Sequence, residues 1–194
     1  RPATVIYGGT ADAPDTTLYS TTNDGMLHAI NASTGAELWA FIPTELLPRL
    51  EKLYTDDGVA NRVYGLDGSV KTYRFDKDQD GSIEPADGDK VYLYFGMRRG
   101  GSHVYALDVS NRSSPRLLWR AGGVDADGFG GITAGSSNHL PGVGQTWSNP
   151  VVARMNIDRT WGSNDRKLVV VLGGGYDVSH DSKTAYADDT VGNR

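Results

Sequence analysis

Cysteine is missing from the 194 residues. That removes disulfides, thiolate metal sites and thiol nucleophiles, and leaves the redox compartment open. Long apolar runs are missing too. None approaches the roughly eighteen residues that a membrane-spanning helix needs, and the opening "RPATVIYGG" has neither the charged start nor the apolar stretch of a signal peptide. No membrane insertion is expected. Nor is there an excess of basic charge: Lys and Arg number 19 against 24 Asp and Glu, for a net −5. Six acids (Asp76, Asp78, Asp80, Glu84, Asp87, Asp89) and one base (Lys77) lie between positions 76 and 89, so this one stretch accounts for the whole −5. A neutral remainder gives neither nucleic acid nor an anionic membrane anything to bind, and the pair Arg98 and Arg99 reads as solvated. Catalytic spacings are equally scarce. His28, His103, His139 and His180 form no H-x-x-x-H or H-E-x-x-H pattern, and no G-x-S-x-G elbow occurs. "GGGY" at Gly173 is followed by neither a helix nor G-K-[ST], so close backbone packing explains it better than a nucleotide loop. A protein that is not an enzyme is expected.

What the chain does have is apolar content of 38% with 22% charged residues, enough for one ordinary core and a single domain over residues 1–194. Short alternating segments dominate, punctuated by 25 glycines. Strands are predicted at Val5–Tyr7, Leu18–Thr21, Met26–Asn31, Glu37–Phe41, Val70–Phe75, Val91–Phe95, His103–Val109, Arg116–Arg120, Val151–Met155 and Lys167–Leu172. One helix is predicted in "PTELLPRLEKLY", where Leu46, Leu50 and Leu53 follow helical spacing and Pro43 or Pro48 suits a first turn. A weak internal repeat aligns "MLHAINASTGAELWAFI" with "HVYALDVSNRSSPRLLWRA": a strand, Ala-apolar-Asx, a polar turn, then a strand carrying Trp39 or Trp119. Repetition on this scale suggests the blades of a β-propeller. In that reading Trp39 and Trp119 pack between blades, and His28 and His103 occupy equivalent structural places. A blade takes roughly 40 to 50 residues and a ring at least about four blades, so two blades and part of a third are expected here. The start at Arg1 and the tail "TAYADDTVGNR" suggest a fragment of a longer polypeptide. Trp161, in the polar stretch "NIDRTWGSNDRK", is the tryptophan best placed for a ligand contact.

The acidic stretch has internal order. With Asp76 at position 1, Asp78 falls at 3, Asp80 at 5, Gly81 at 6, Ser82 at 7, Ile83 at 8, Glu84 at 9 and Asp87 at 12. This is the spacing of a twelve-residue calcium loop. Oxygens on alternate residues wrap a hard cation, Gly81 permits the sharp turn, Ser82 offers its main-chain carbonyl and Ile83 tucks inward as an anchor. Glu84 suits contact through water, and either Asp87 or Asp89 closes the shell. The flanks "VKTYRF" and "KVYLYF" alternate like strands, which predicts a calcium loop at 76–89 inserted in a β-hairpin and argues against a helix-loop-helix module. The predicted ligands of Ca²⁺ are Asp76, Asp78, Asp80, Ser82, Glu84 and Asp87. "DADG" at Asp125–Gly128 offers only two carboxylates and reads as a turn.

Five segments carry a resemblance: "NDGMLHAINASTGAELWAFIPTELLPRL" from Asn23, "YGLDGSV" from Tyr64, "HVYALDVS" from His103, "WSNPVVARM" from Trp147 and "VVVLGGGY" from Val169. In order and spacing the chain resembles the C-terminal domain of the PilC/PilY family of type IV pilus biogenesis factors and tip adhesins. That resemblance implies an all-β, modified β-propeller with quinoprotein-like repeats. It further implies export, display at the bacterial cell surface or pilus tip in association with the outer membrane, and a calcium loop that regulates pilus extension, retraction and surface attachment, with roles in adhesion and virulence. Pilins or minor pilins, and a host or abiotic surface ligand, are the implied partners. The Arg-Gly-Asp tripeptide of some relatives is absent, so integrin binding is not carried over. The rival from another class is the propeller of a quinone-dependent dehydrogenase, whose repeats look alike but whose cofactor site gathers residues from many blades.

Overall fold

The computed structural model describes residues 1–55, 63–122, 143–156 and 166–177. Ten strands run in chain order: β1 (Ala3–Gly9), β2 (Pro14–Thr21), β3 (Leu27–Asn31), β4 (Glu37–Phe41), β5 (Lys71–Phe75), β6 (Lys90–Gly96), β7 (His103–Asp108), β8 (Arg116–Gly122), β9 (Val151–Met155) and β10 (Lys167–Val171). They form an antiparallel four-stranded sheet β1-β2-β3-β4, a second β5-β6-β7-β8, and a pair β9-β10. Each four-stranded meander has the form of a propeller blade, its strand ladder closed within itself and its faces hence dependent on its neighbours for cover.

The internal repeat is visible in the register. Ala29 faces Trp39 in the first sheet and Ala106 faces Trp119 in the second, and in both sheets the ladder shifts at the next residue. A small side chain opposite an indole is the cross-strand pairing that lets both fit on one face. This register also corrects an expectation. Counting from the matched alanines, His28 corresponds to Tyr105, and His103 to Met26, so the two histidines are not equivalent. His28 is half-buried between Glu37 Oε2, at 2.6 Å, and Asp24 Oδ2, at 3.1 Å. His103 is fully buried, with Nε2 3.9 Å from Glu45 Oε1.

The predicted helix divides in two. Thr44–Arg49 is a 3₁₀ segment with Pro48 inside it, and the α-helix proper, α1, covers only Leu50–Thr55. Pro48 has no N–H to bond back to residue 44, and its ring crowds that carbonyl, so α geometry begins only beyond it. Leu46 fills the core from this linker, while Leu50 and Leu53 stay half-buried.

The core lies in the seam between the two four-stranded sheets. Val5, Tyr7, Tyr19, Leu27 and Ala29 meet Val91, Leu93, Phe95, Tyr105, Leu107 and Val109 there. Phe95 stacks on Tyr105 with ring centres 5.5 Å apart, and Phe41 meets both rings edge-on at 6.2 and 5.7 Å. Polar groups cross the same seam. The Tyr7 hydroxyl donates to the Val109 carbonyl at 2.7 Å and lies 2.6 Å from the Tyr19 hydroxyl, which therefore donates to it. Burial pushes both phenols up, Tyr19 to about 12 despite the opposing Tyr7 hydrogen bond and Arg112 charge. The Trp39 indole donates to the Arg112 carbonyl at 2.6 Å, in keeping with inter-blade packing, whereas Trp119 packs on Tyr94 of its own sheet. Glu45, 2% exposed, accepts from the Tyr105 hydroxyl and from Arg120 Nη1 at 2.6 Å. A carboxylate this deep is tolerated because both of its oxygens are paired.

Two measurements check this arrangement. Replacing Phe95 by alanine empties the centre of the seam and is expected to lower unfolding free energy by about 3–5 kcal/mol. Leu117→Ala on the outer strand, where the side chain is 46% exposed, should cost under about 1 kcal/mol; denaturant midpoints compare them. The second concerns pH. Burial lowers the His28 pKa, but hydrogen bonds to Glu37 and Asp24 outweigh it and the net shift is upward. A folded pKa above the unfolded one gives stability that is complete below about pH 6.5 and is lost as pH rises through the raised value. Protection factors in β3 and β4, which remove the intrinsic base catalysis of exchange, should accordingly be higher at pH 6 than at pH 8, and His28→Gln should remove the difference.

Candidate metal centre

Phe75 and Lys90 are paired residues at the ends of β5 and β6, so the loop at 76–89 is a hairpin connection, as the alternating flanks predict. Inside it the backbone passes three times through the left-handed region, at Gln79 (φ 64°), Gly81 (φ 93°) and Gly88 (φ 100°). Gly81 takes this conformation at no steric cost. The loop's own amides hold the acids in place. Asp76 Oδ1 accepts from the Gln79 N–H at 2.8 Å and Oδ2 from the Gly81 N–H at 3.1 Å; Asp80 Oδ1 accepts from the Ser82 N–H at 2.7 Å.

These turns bring Asp76, Asp78 and Asp80 together, with one carboxylate oxygen of each lying within 4.8 Å of the others. Asp76 is part-buried, and Asp78 and Asp80 are exposed. Ser82 is half-buried beside them, and Glu84 and Asp87 are exposed on the following turn, where Pro85–Asp87 forms a 3₁₀ segment. The Asp87 hydrogen bond and charge, with those of Asp80 and Asp78, push the Glu84 carboxyl above the usual range. Asp78 also shifts upward: the Asp80 amide lowers it, and desolvation with the charges of Asp80 and Asp89 more than offsets that. The five acids among the six predicted ligands therefore lie in one electrostatic neighbourhood, with the first three converging most closely. The donor set is entirely oxygen and carries several negative charges. That chemistry fits a hard divalent cation such as Ca²⁺.

Three groups in and around the loop were not legible as partners. Asp89 is 1% exposed, with Oδ1 accepting from the Lys77 amide and Oδ2 from the Glu84 amide, each at 2.9 Å. Those two bonds hold its carboxyl below the usual range, and with both oxygens occupied Asp89 braces the loop from within. Of the two residues left open for position 12, Asp89 is buried and Asp87 is exposed. Arg74 donates through Nη2 to Asp76 Oδ2 at 3.2 Å and to the Gly81 carbonyl at 2.8 Å, which softens the repulsion from the side of β5. Ile83, predicted to turn inward, is 7% exposed within the inter-sheet core, and its N–H donates to the Tyr7 carbonyl at 2.8 Å. A loop that belongs to the second sheet is thus stitched onto the first strand of the first. "DADG" at Asp125–Gly128, Trp161, His139 and His180 lie outside the described residues.

Comparison with known proteins agrees with this architecture. The family model of the PilY1 beta-propeller domain matches residues 3–190. The chain is 32% identical over 171 residues to the type IV pilus biogenesis factor PilY1 homolog of Xylella fastidiosa, covering 85% of this chain and 11% of that protein. It is 31% identical over 173 residues to the type IV pilus biogenesis factor PilY1 of Pseudomonas aeruginosa (strain UCBPP-PA14), covering 88% and 12%. Among solved structures, the C-terminal domain of Pseudomonas aeruginosa PilY1 superposes with a TM-score of 0.51 at 27% identity, over 83% of this chain and 25% of that one. The chain therefore spans only a small part of the length of these relatives.

The brace can be separated from the cluster it supports. Asp89→Ala should speed hydrogen exchange at the Lys77 and Glu84 amides and loosen the hairpin, whereas Asp87→Ala should leave both amides protected; exchange followed by NMR distinguishes the two.

Proposed function

The chain belongs to the PilY1 β-propeller family of type IV pilus biogenesis factors, and from that premise we propose that it is a calcium-binding regulatory and adhesion domain, without enzymatic activity, of a pilus-associated surface protein. Ca²⁺ bound in the hairpin controls how the propeller meets pilins or minor pilins and a host or abiotic surface. Through those contacts it governs pilus extension, retraction and attachment. The polypeptide acts at the cell surface or pilus tip, in association with the outer membrane. No helix among the described residues is long and apolar enough to cross a membrane.

The observation that carries this reading is the convergence of Asp76, Asp78 and Asp80 in a loop whose next apolar residue, Ile83, is locked into the seam between the sheets. Asp76, Asp78, Asp80 and Asp87 would hold the ion by their carboxylates, Ser82 by its carbonyl, and Glu84 directly or through water. The bound ion supplies neutralising charge. Neighbouring carboxylates that repel one another otherwise favour an open loop. The chain's own residues convert that change into structure. Ser82 and Glu84 flank Ile83, so any shift of theirs is felt at the Ile83 side chain and at its bond to Tyr7. From Tyr7 the linkage continues through its hydroxyl to Val109, across the second sheet. Control of stiffness at the blade seam follows. A quinone-dependent dehydrogenase would draw its cofactor ligands from several blades, whereas these acids come from a single hairpin.

Extracellular calcium modules work at dissociation constants of about 10⁻⁴ to 10⁻³ M, and the short Asp87 side chain places this loop toward the weaker end. Asp78→Ala and Asp80→Ala should each weaken calcium binding by roughly tenfold or more in calorimetric titration, with little change in the ion-free thermal midpoint because both side chains are exposed. Wild-type affinity in either variant would refute the assignment.

A further inference from the structure

The turn between β6 and β7 carries the two arginines that the sequence reads as solvated, and the structure seats both on aromatic rings. The Arg98 guanidinium lies 4.6 Å from the centre of the Trp147 ring; that of Arg99 lies 4.1 Å from Tyr64 and 6.0 Å from Trp147. Arg98 holds a φ of 50°, a left-handed conformation that side chains other than glycine rarely adopt. Its surroundings enforce it. Thr146 Oγ1 accepts from the Met97 and Arg98 amides at 2.8 and 3.2 Å, and Gly100 packs so tightly that a Cβ there would stand 1.7 Å from the Gly65 carbonyl oxygen. Strain of this kind, fixed by well-packed neighbours, is concentrated at functional sites.

The charges do not balance. Asp67 is the acid that meets both arginines: its Oδ2 accepts from Arg99 Nε at 2.8 Å and lies 2.7 Å from Arg99 Nη2, and its Oδ1 is 4.0 Å from Arg98 Nε. Arg98 Nη1 donates to the Asp67 carbonyl at 3.2 Å. Among the described contacts of this turn, two guanidinium groups share the one Asp67 carboxylate. Each guanidinium has five N–H donors, and the bonds to Asp67 leave donors on both. The side chains of Arg98 and Arg99 are 36% and 43% exposed, and Trp147 is 41% exposed.

We propose that Tyr64, Arg98, Arg99 and Trp147 form a docking shelf for an acidic segment of a partner protein. The two guanidinium groups take a carboxylate, and an apolar neighbour of that carboxylate lies on Trp147. A planar guanidinium matches a carboxylate in two-pronged geometry, and stacking on the rings has already restricted both arginines, which lowers the entropy lost on binding. Trp, Tyr and Arg are also the residue types that dominate binding energy at protein interfaces. The acidic loop does not oppose such a partner. It leaves the other end of β6, whose seven residues span about 23 Å at roughly 3.3 Å per residue, well beyond a screening length of about 8 Å at physiological salt. The shelf therefore works whether or not an ion occupies that loop.

Fluorescence anisotropy on the intact polypeptide tests this with a fluorescein-labelled peptide of glutamates flanking one phenylalanine, and with its glutamine counterpart. The acidic peptide should bind, the glutamine peptide should not, and affinity should be the same in calcium and in chelator. Arg99→Gln should weaken binding roughly tenfold, the size of one charge-assisted hydrogen bond, at an unchanged thermal midpoint; Trp147→Ala should do at least as much, and Arg99→Gln alone decides should Trp147→Ala unfold. Absence of binding, equal binding of both peptides, wild-type affinity in Arg98→Gln/Arg99→Gln, or preference for a carboxylated oligosaccharide over the peptide would each overturn the proposal.

Discussion

The seam between the first and second sheets is the constraint on which everything else rests. Neither sheet covers its own apolar face: Tyr19, Leu27 and Ala29 on one side and Leu93, Phe95 and Tyr105 on the other are buried only because they meet. At about 1.5–3 kcal/mol for each large side chain removed from water, this layer outweighs any single polar contact in the molecule. The polar contacts serve a different end. Tyr7 to Val109, Trp39 to Arg112 and Glu45 to Tyr105 and Arg120 fix one relative placement of the sheets, since a slip would strand buried donors and acceptors.

Seen from the seam, the acidic hairpin is more than an appendage. Its exposed side carries converging carboxylates and its buried side contributes Ile83 to the core. One residue separates the two roles, because Ser82 and Glu84 sit on either side of Ile83. The geometry of the acids and the fit of the sheets are consequently not independent, and it is on this coupling that the proposed regulation by an ion rests. Asp89 and Arg74 limit how far the hairpin spreads, the first by tying its two arms together and the second by offering positive charge to Asp76.

Much of the fold could be read in the residues because period-two alternation is a local property. All ten strands lie where alternation puts them, and the Ala-to-Trp repeat marks matching bulges in both sheets. The convergence of Asp76, Asp78 and Asp80 was legible for a similar reason, the turns between them being set by spacing along the chain. Position in sequence said less where partners come from afar. The bracing role of Asp89, the burial of Glu45 and the seating of Arg98 on Trp147 depend on which turns meet in space. Pro48 broke a helix that leucine spacing alone would have continued. The histidines appeared equivalent by rough alignment, until the bulge positions fixed the register and separated them.

Stitching by Ile83 also bears on how the chain folds. The first strand, β1, ends its inner face on a bond to residue 83 and, through Tyr7, on another to Val109, a partner 102 positions away. Contacts so distant in sequence carry a large loop-closure entropy and slow folding. Until the second meander is in place the apolar face of the first is uncovered, so the two blades complete their core together.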